Sequence, residues 1–174
     1  MKHFSKSITL MFIILFLTYN TISAAQLNSD TSVCLEIKGK ILNLSKKNSS
    51  TYKIELIYFN TVVNKEVIDI NKPFKFKLKK DAIYTIRISK DGYITKLISI
   101  YTKMPEGNND VYDLDFETEL LEEHKSKTLN TDALDFPITI IYFEEKVKLF
   151  HFNEEYTNNI KKSIYDVKVV RKKL

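Results

Sequence analysis

A strict alternation of apolar and polar residues runs through most of this chain and constrains its fold more than any other feature. It is clearest in "FKFKLK", where Phe74, Phe76 and Leu78 alternate with lysines. A period of two residues is that of a strand whose successive side chains point to opposite faces of a sheet. One face then packs in a core while the other meets water, as is usual in antiparallel sheets. The pattern therefore predicts an all-β fold.

Segments of this kind recur about every ten residues, separated by turn-forming residues, which is typical of a sandwich. The third segment has a broken pattern that predicts a β-bulge. The dipeptide Asp91-Gly92 predicts a tight type I′ hairpin turn, because both central residues of that turn need positive φ. We expect a seven-stranded antiparallel, immunoglobulin-like β-sandwich with strands over residues 35–41, 52–58, 62–70, 74–79, 84–89, 94–100 and 112–120.

The last fifty residues follow a different pattern. Residues 122–135 are polar and predict a loop, whereas the continuous apolar run of residues 138–143 suits a strand buried on both faces. Asn153 is placed to cap a short helix. Residues 167–170 fit a strand as well as a helix. We therefore expect a sandwich domain over residues 26–121 and a small β/α extension over residues 122–174.

The N-terminus has the three parts of a secretory signal. Lys2 and Lys6 form a basic start, residues 8–17 are an apolar run, and Ser23-Ala24-Ala25 supplies small residues for cleavage. Because a membrane-spanning helix needs about twenty apolar residues, this run predicts a cleaved signal peptide over residues 1–25 rather than an anchor. The expected location is secreted or periplasmic, and the protein is not expected to be integral to the membrane.

Charge and cysteine content narrow the possible partners. The formal net charge of +5 falls to +3 when residues 1–25 are removed. Lysines are scattered rather than gathered on one face, so we expect no nucleic-acid partner. The single cysteine, Cys34, leaves a free thiol or an intermolecular disulfide. A lipid-modified cysteine is a further alternative, although Cys34 lies well beyond the apolar run.

The sequence carries no motif that predicts a catalytic, metal or cofactor site. His124 and His151 match no zinc-ligand spacing. Four acids on one predicted strand face could bind calcium with the preceding loop. A solvated outer face explains the same residues without any ion, and the loop lacks the spacing of a calcium-binding loop. The same acids could be the catalytic groups of an unrecognised hydrolase, which is a further alternative. The four acids are Asp113, Asp115, Glu117 and Glu119.

Two tyrosines are the candidate binding residues. Tyr93 and Tyr101 fall on the predicted strand face opposite Ile98 and Ile100. Exposed there, they would form an aromatic surface for a sugar or a protein. Strand tyrosines that pack half-exposed without a function are the alternative.

Three segments resemble the carboxypeptidase regulatory-like domain, a transthyretin-like family: "EIKGKILN" (36–43), "FKFKL" (74–78) and "YTIRISKDGYITKLISI" (84–100). The resemblance spans about residues 34–121 and rests on core and turn positions, including Gly39. It implies a seven-stranded sandwich that serves as a non-enzymatic module of a bacterial envelope.

These observations predict a secreted or periplasmic binding module that is not an enzyme and carries no cofactor. Its expected partner is an envelope protein, contacted through strand edges or the tyrosine face. The alternative is a carbohydrate or cell-wall ligand bound by the same tyrosines. The oligomeric state is left open.

Overall fold

A computed structural model describes residues 32–42, 44 and 50–165, which all belong to one compact unit. The predicted signal peptide and the ambiguous segment 167–170 lie outside the described residues. None of the helices within the described part of the chain is long and apolar enough to cross a membrane.

The described residues form nine strands and three helices. The strands are β1 (Val33–Leu42), β2 (Thr51–Tyr58), β3 (Thr61–Asp69), β4 (Phe74–Lys79), β5 (Ile83–Ser89), β6 (Lys96–Tyr101), β7 (Tyr112–Glu119), β8 (Thr139–Glu144) and β9 (Leu149–Phe152). Two 3₁₀ helices, Glu123–Thr128 and Thr131–Asp135, precede β8, and helix α1 (Glu154–Tyr165) follows β9.

The strands form two sheets, ordered β4-β1-β7 and β3-β2-β5-β6-β8-β9. The prediction of a mostly β, two-sheet fold is confirmed. The prediction of seven purely antiparallel strands is wrong. β1 pairs with β7 in parallel, and β6 pairs with β8 in parallel. A parallel pair needs a long crossover. Here β7 and the two 3₁₀ helices carry the chain between β6 and β8.

Buried side chains from both sheets form one hydrophobic cluster, as the alternation predicted. Gly39 of β1 is part of this packing because it pairs with Phe74 of β4. A Cβ at Gly39 would lie 2.1 Å from Cζ of Phe74. The ring therefore occupies the space that any other residue would fill. Phe74 also contacts Phe116 of β7 edge-on, which joins the three strands of this sheet.

The tight turn lies elsewhere than predicted. Phe59 and Asn60, between β2 and β3, both have positive φ, as a type I′ turn requires. Between β5 and β6, pairing ends at Ile88 and Lys96, and of Asp91-Gly92 only the glycine has positive φ. The intervening residues leave the hairpin because Ile94 N donates to Leu121 O. The predicted bulge is confirmed by a register shift between β2 and β3.

The C-terminal residues continue the larger sheet, since β8 and β9 both lie beyond residue 121. The predicted boundary therefore falls inside one compact unit. β8 alternates buried and half-buried residues, so its predicted burial on both faces is wrong. The predicted loop contains the two 3₁₀ helices. The helix cap is confirmed, because Asn153 Oδ1 accepts a hydrogen bond from Tyr156 N.

Candidate functional site

A cleft of about 870 Å³ lies where the start of β6, the end of β7 and helix α1 meet. More than half of its lining residues are apolar or aromatic. Phe116 and Phe152, from opposite sheets, contact each other there edge-on with ring centroids 5.9 Å apart. Other apolar lining residues include Ile94, Leu97, Ile138 and Ile164. The volume and apolar lining fall within the range of small-molecule sites.

Lys96 places a positive charge on the side of this cleft that faces the space between the two sheets. It pairs with Ile88 of β5, whose side chain is buried in the core. Because directly paired residues point to the same sheet face, Lys96 faces the space between the sheets. Thr118 of β7 lies opposite, and Lys96 Nζ donates to its Oγ1 over 2.8 Å. A second hydrogen bond runs from Nζ to the carbonyl oxygen of Glu119.

The surroundings of Lys96 disfavour its charged form. Burial and the positive charge of Lys161 on α1 lower its pKa from 10.5 to about 8, and the Glu119 carboxylate opposes this shift. None of the ion pairs among the described residues includes Lys96 or Lys161. Lys96 is thus a partly buried cation held by neutral oxygens, a condition that favours an incoming anion.

The acids of β7 are exposed, whereas Thr118 is partly buried. Asp113, Asp115, Glu117 and Glu119 occupy the exposed positions of this alternating strand. Asp115 lies 3.7 Å from Lys38 in a solvent-exposed ion pair. Within the described residues, no group of three or more His, Cys, Asp or Glu side chains is arranged to hold a metal ion.

Helix α1 forms one wall of the cleft and is tied to the sheet by hydrogen bonds. Thr157 and Thr139 of β8 share a hydrogen bond of 2.6 Å between hydroxyls, and Tyr156 donates to Pro137 O over 2.9 Å. The carbonyl of Ile164 near the end of the helix accepts from Asn130 N. These contacts hold Lys161 on a fixed element beside the cleft.

The structure separates the two candidate tyrosines. Tyr93 is buried, with 7% exposure, and lies under Lys90, so it is not part of an exposed surface. Tyr101 is 39% exposed and pairs with Ile83 on one side and Tyr142 on the other.

Tyr142 in turn pairs with His151, which makes a continuous row across four strands. The Tyr142 and His151 rings contact each other with centroids 4.8 Å apart and planes tilted by 47°. Beside the row, Glu144 of the same strand accepts a hydrogen bond from the hydroxyl of Tyr142.

Cys34 is buried and free, with 1% exposure. Burial, with the nearby charge of Asp81, raises the pKa of its thiol to about 11. A buried thiol of this kind is a poor nucleophile. The two histidines lie apart from each other in separate pairs: His124 Nδ1 is 3.1 Å from Glu122, and His151 Nε2 is 3.8 Å from Glu144.

Sequence reasoning missed Lys96 although a signal for it was present. The alternation that places Ile98 and Ile100 in the core also places residue 96 on the same face. A lysine at a position where the pattern requires an apolar residue marks a buried charge. The contribution of Lys161 follows only from the position of α1, which no local pattern indicates.

Comparisons with known proteins assign no family. No family model matches the chain, and no curated protein matches it. One matching solved structure, "Crystal Structure of S.CueP", is 14% identical over 51% of this chain, with a TM-score of 0.34. The match spans 62% of that chain, less than two thirds of its length. A likeness this slight carries no argument about function.

Proposed function

We propose that this protein is a non-enzymatic binding module of a bacterial cell envelope, and that its cleft binds a small anionic ligand with an apolar body. The observation that carries the proposal is the inward-facing cation of Lys96 in a mainly apolar cleft, without an ion-pair partner among the described residues. The charged head would bind Lys96, and the aromatic pair of Phe116 and Phe152 would contact the apolar body.

A medium-chain carboxylate such as dodecanoate is a suitable probe. An alkyl chain matches the apolar lining, and the carboxylate can accept a charge-assisted hydrogen bond from Lys96. Such a bond contributes about 1.5–3 kcal/mol, which corresponds to about 10- to 100-fold in affinity. Calorimetric titration of the purified protein with dodecanoate at pH 7 should therefore show binding that Lys96→Met weakens by at least about tenfold.

A matched control is available on α1. Lys161 and the adjacent Lys162 are both exposed, but only Lys161 lines the cleft. Lys161→Met should weaken dodecanoate binding, and Lys162→Met, which removes the same charge, should not. The proposal would be overturned if the wild-type protein and all three variants bound dodecanoate with equal affinity. Circular dichroism would verify that each variant is folded.

The binding should depend on pH through Lys96. The ammonium form binds the anion, and the pKa of Lys96 in the free protein is about 8. Affinity should be constant well below pH 8 and should fall by up to about tenfold per unit above it. In Lys96→Met this decline should be absent.

The envelope location and the family rest on the sequence. The predicted signal peptide supports export, and the resemblance to the carboxypeptidase regulatory-like domain supports a module that binds rather than catalyses. Detection of residue 26 as the N-terminus of protein recovered from the periplasm or the medium would support export. Recovery of the intact chain from the cytoplasm alone would contradict it.

A second candidate function is carbohydrate binding, and the row of Tyr101, Tyr142 and His151 favours it. Aromatic rings in line on a sheet can stack against sugar rings, and the carboxylate of Glu144 offers an acceptor for sugar hydroxyls. Tyr93 has no part in this surface because it is buried.

Titration with soluble peptidoglycan fragments tests this candidate. Tyrosine fluorescence should change on binding, and Tyr101→Ala with Tyr142→Ala should abolish the change. Buried Tyr93→Phe is the matched control, since it removes a tyrosine outside the row. A flat titration of the wild-type protein would rule out binding of these fragments.

A further inference from the structure

The hydrogen bonds of Lys96 leave one direction of its amine without an acceptor. An ammonium group has three protons. Among the described contacts, Thr118 Oγ1 takes one and the carbonyl oxygen of Glu119 takes another. When the group loses its third proton, the two remaining N–H bonds can keep these acceptors. The lone pair then occupies the third tetrahedral direction of an amine that lines the cleft.

The amine is also neutral far more often than that of an ordinary lysine. With a pKa of about 8, about one molecule in ten carries neutral Lys96 at pH 7. A lysine at its ordinary pKa is neutral in about one molecule in three thousand at that pH. A lysine that is desolvated and placed beside another cation is a recognised arrangement for a nucleophilic amine.

The charged groups around the cleft divide between two elements. Lys161 and Glu154 stand on α1, and Glu117 and Glu119 stand on β7. Lys161 lowers the pKa of Lys96, whereas Glu119 raises it. Tyr165 is the remaining titratable lining residue and is exposed. Removal of the Lys161 charge should therefore reduce the neutral fraction of Lys96.

We propose that Lys96 captures aliphatic aldehydes in the cleft as a reversible imine. This inference rests on the proposed function, because the apolar body of the aldehyde would occupy the same cleft. The Nζ lone pair of Lys96 forms a bond to the carbonyl carbon while the carbonyl π bond breaks, and one proton passes from Nζ to the oxygen to give a carbinolamine. The C–O bond then breaks, the oxygen leaves as water with the second Nζ proton, and the C=N bond remains. No oxidant or reductant is consumed, and water reverses the reaction.

Reductive trapping tests the proposal. The purified protein is incubated at pH 7 with dodecanal and sodium cyanoborohydride, which reduces an imine to a stable secondary amine. Peptide mass spectrometry then measures dodecyl addition at each lysine. Lys96 should react at least about tenfold faster than exposed Lys162, because burial and the charge of Lys161 raise the neutral fraction of Lys96.

Three variants distinguish a reactive amine at Lys96 from a lysine that is merely accessible to the aldehyde. Lys161→Gln should slow the labelling of Lys96 several-fold by raising its pKa, while Lys162→Gln should not. Lys96→Arg keeps the positive charge but forms no imine under these conditions. It should lose the labelling in the cleft.

The outcomes distinguish this inference from the proposed function. Labelling of Lys96 no faster than that of Lys162, with dodecanoate binding intact, would overturn the imine and leave the anion site. Failure of both dodecanoate binding and Lys96 labelling would overturn both. Fast labelling that is unchanged by Lys161→Gln would contradict the stated cause of the reactivity.

Discussion

Replacement of Lys96 by methionine should stabilise the protein at neutral pH. Folding lowers the pKa of Lys96 from 10.5 to about 8. Each pKa unit corresponds to about 1.4 kcal/mol, so the folded state bears a penalty of about 3 kcal/mol at pH 7. Methionine removes this penalty but leaves the acceptors on Thr118 and Glu119 unpaired, which costs about 1–2 kcal/mol. The expected net gain in the free energy of unfolding at pH 7 is about 1–2 kcal/mol.

This gain in stability should disappear at high pH, and the direction of the change follows from proton binding. Between about pH 8 and pH 10.5 the unfolded state binds more protons at residue 96 than the folded state does, so wild-type stability rises with pH. The penalty is therefore full below about pH 8 and is lost as the pH rises through 10.5. The difference between Lys96→Met and wild type should fall by about 2–3 kcal/mol from pH 7 to pH 10.

Urea unfolding at pH 7 and pH 10 measures this difference. Other titrating groups are common to both proteins and largely cancel. Lys162→Met removes a lysine from an exposed site outside the cleft, and it is the reference for the loss of one lysine side chain. A Lys96→Met difference that is constant from pH 7 to pH 10 to within about 0.5 kcal/mol would refute the description of Lys96 as a desolvated cation.

Three further predictions concern the sandwich. Gly39→Ala should destabilise the fold by about 3 kcal/mol in urea because its Cβ would overlap the Phe74 ring. Gly107→Ala, where nothing lies within 4 Å but φ is +80°, should cost only about 1 kcal/mol, and equal losses would contradict the overlap. Cys34 should react with iodoacetamide only as the protein unfolds, since its thiol is buried with a pKa of about 11; rapid native labelling would be inconsistent with this burial. Glu36→Gln should destabilise at pH 6, because hydrogen bonds from two lysines lower the pKa of Glu36 to about 2. That loss should shrink as the pH falls from 4.5 through 2, and a loss independent of pH would contradict it.

The strands were predictable where alternation decides the fold. β4, with its three buried residues between lysines, lies where the sequence places it, because a one-residue slip would expose every apolar side chain. β9 escaped prediction because it has only four residues and follows a turn in which Lys148, not glycine, adopts positive φ. The parallel pairing of β8 also has no local signal, since strand direction depends on how the chain crosses between sheets.

The site was predictable only in part. Tyr101 is exposed as expected. Tyr93 is buried because its segment pairs with the residues that follow β7, through the bridge between Tyr93 and Glu122. Lys96 could have been read from its place in the alternation of β6. Its partner Thr118 lies on a strand of the other sheet, and Lys161 lies on a helix. The hydrogen bonding and the lowered pKa of Lys96 therefore depend on contacts between residues that lie far apart in the sequence.

The most direct test of the central claim is an NMR titration of the ¹⁵N-labelled protein with dodecanoate at pH 7. We expect chemical-shift changes concentrated at the amides that line the cleft, including those of Leu97, Thr118 and Thr157. The amides of the Tyr101 row and of the β2–β3 turn should be unaffected, and Lys96→Met should greatly weaken the response. Changes confined to another surface, or none at all at saturating ligand, would contradict the cleft as the binding site.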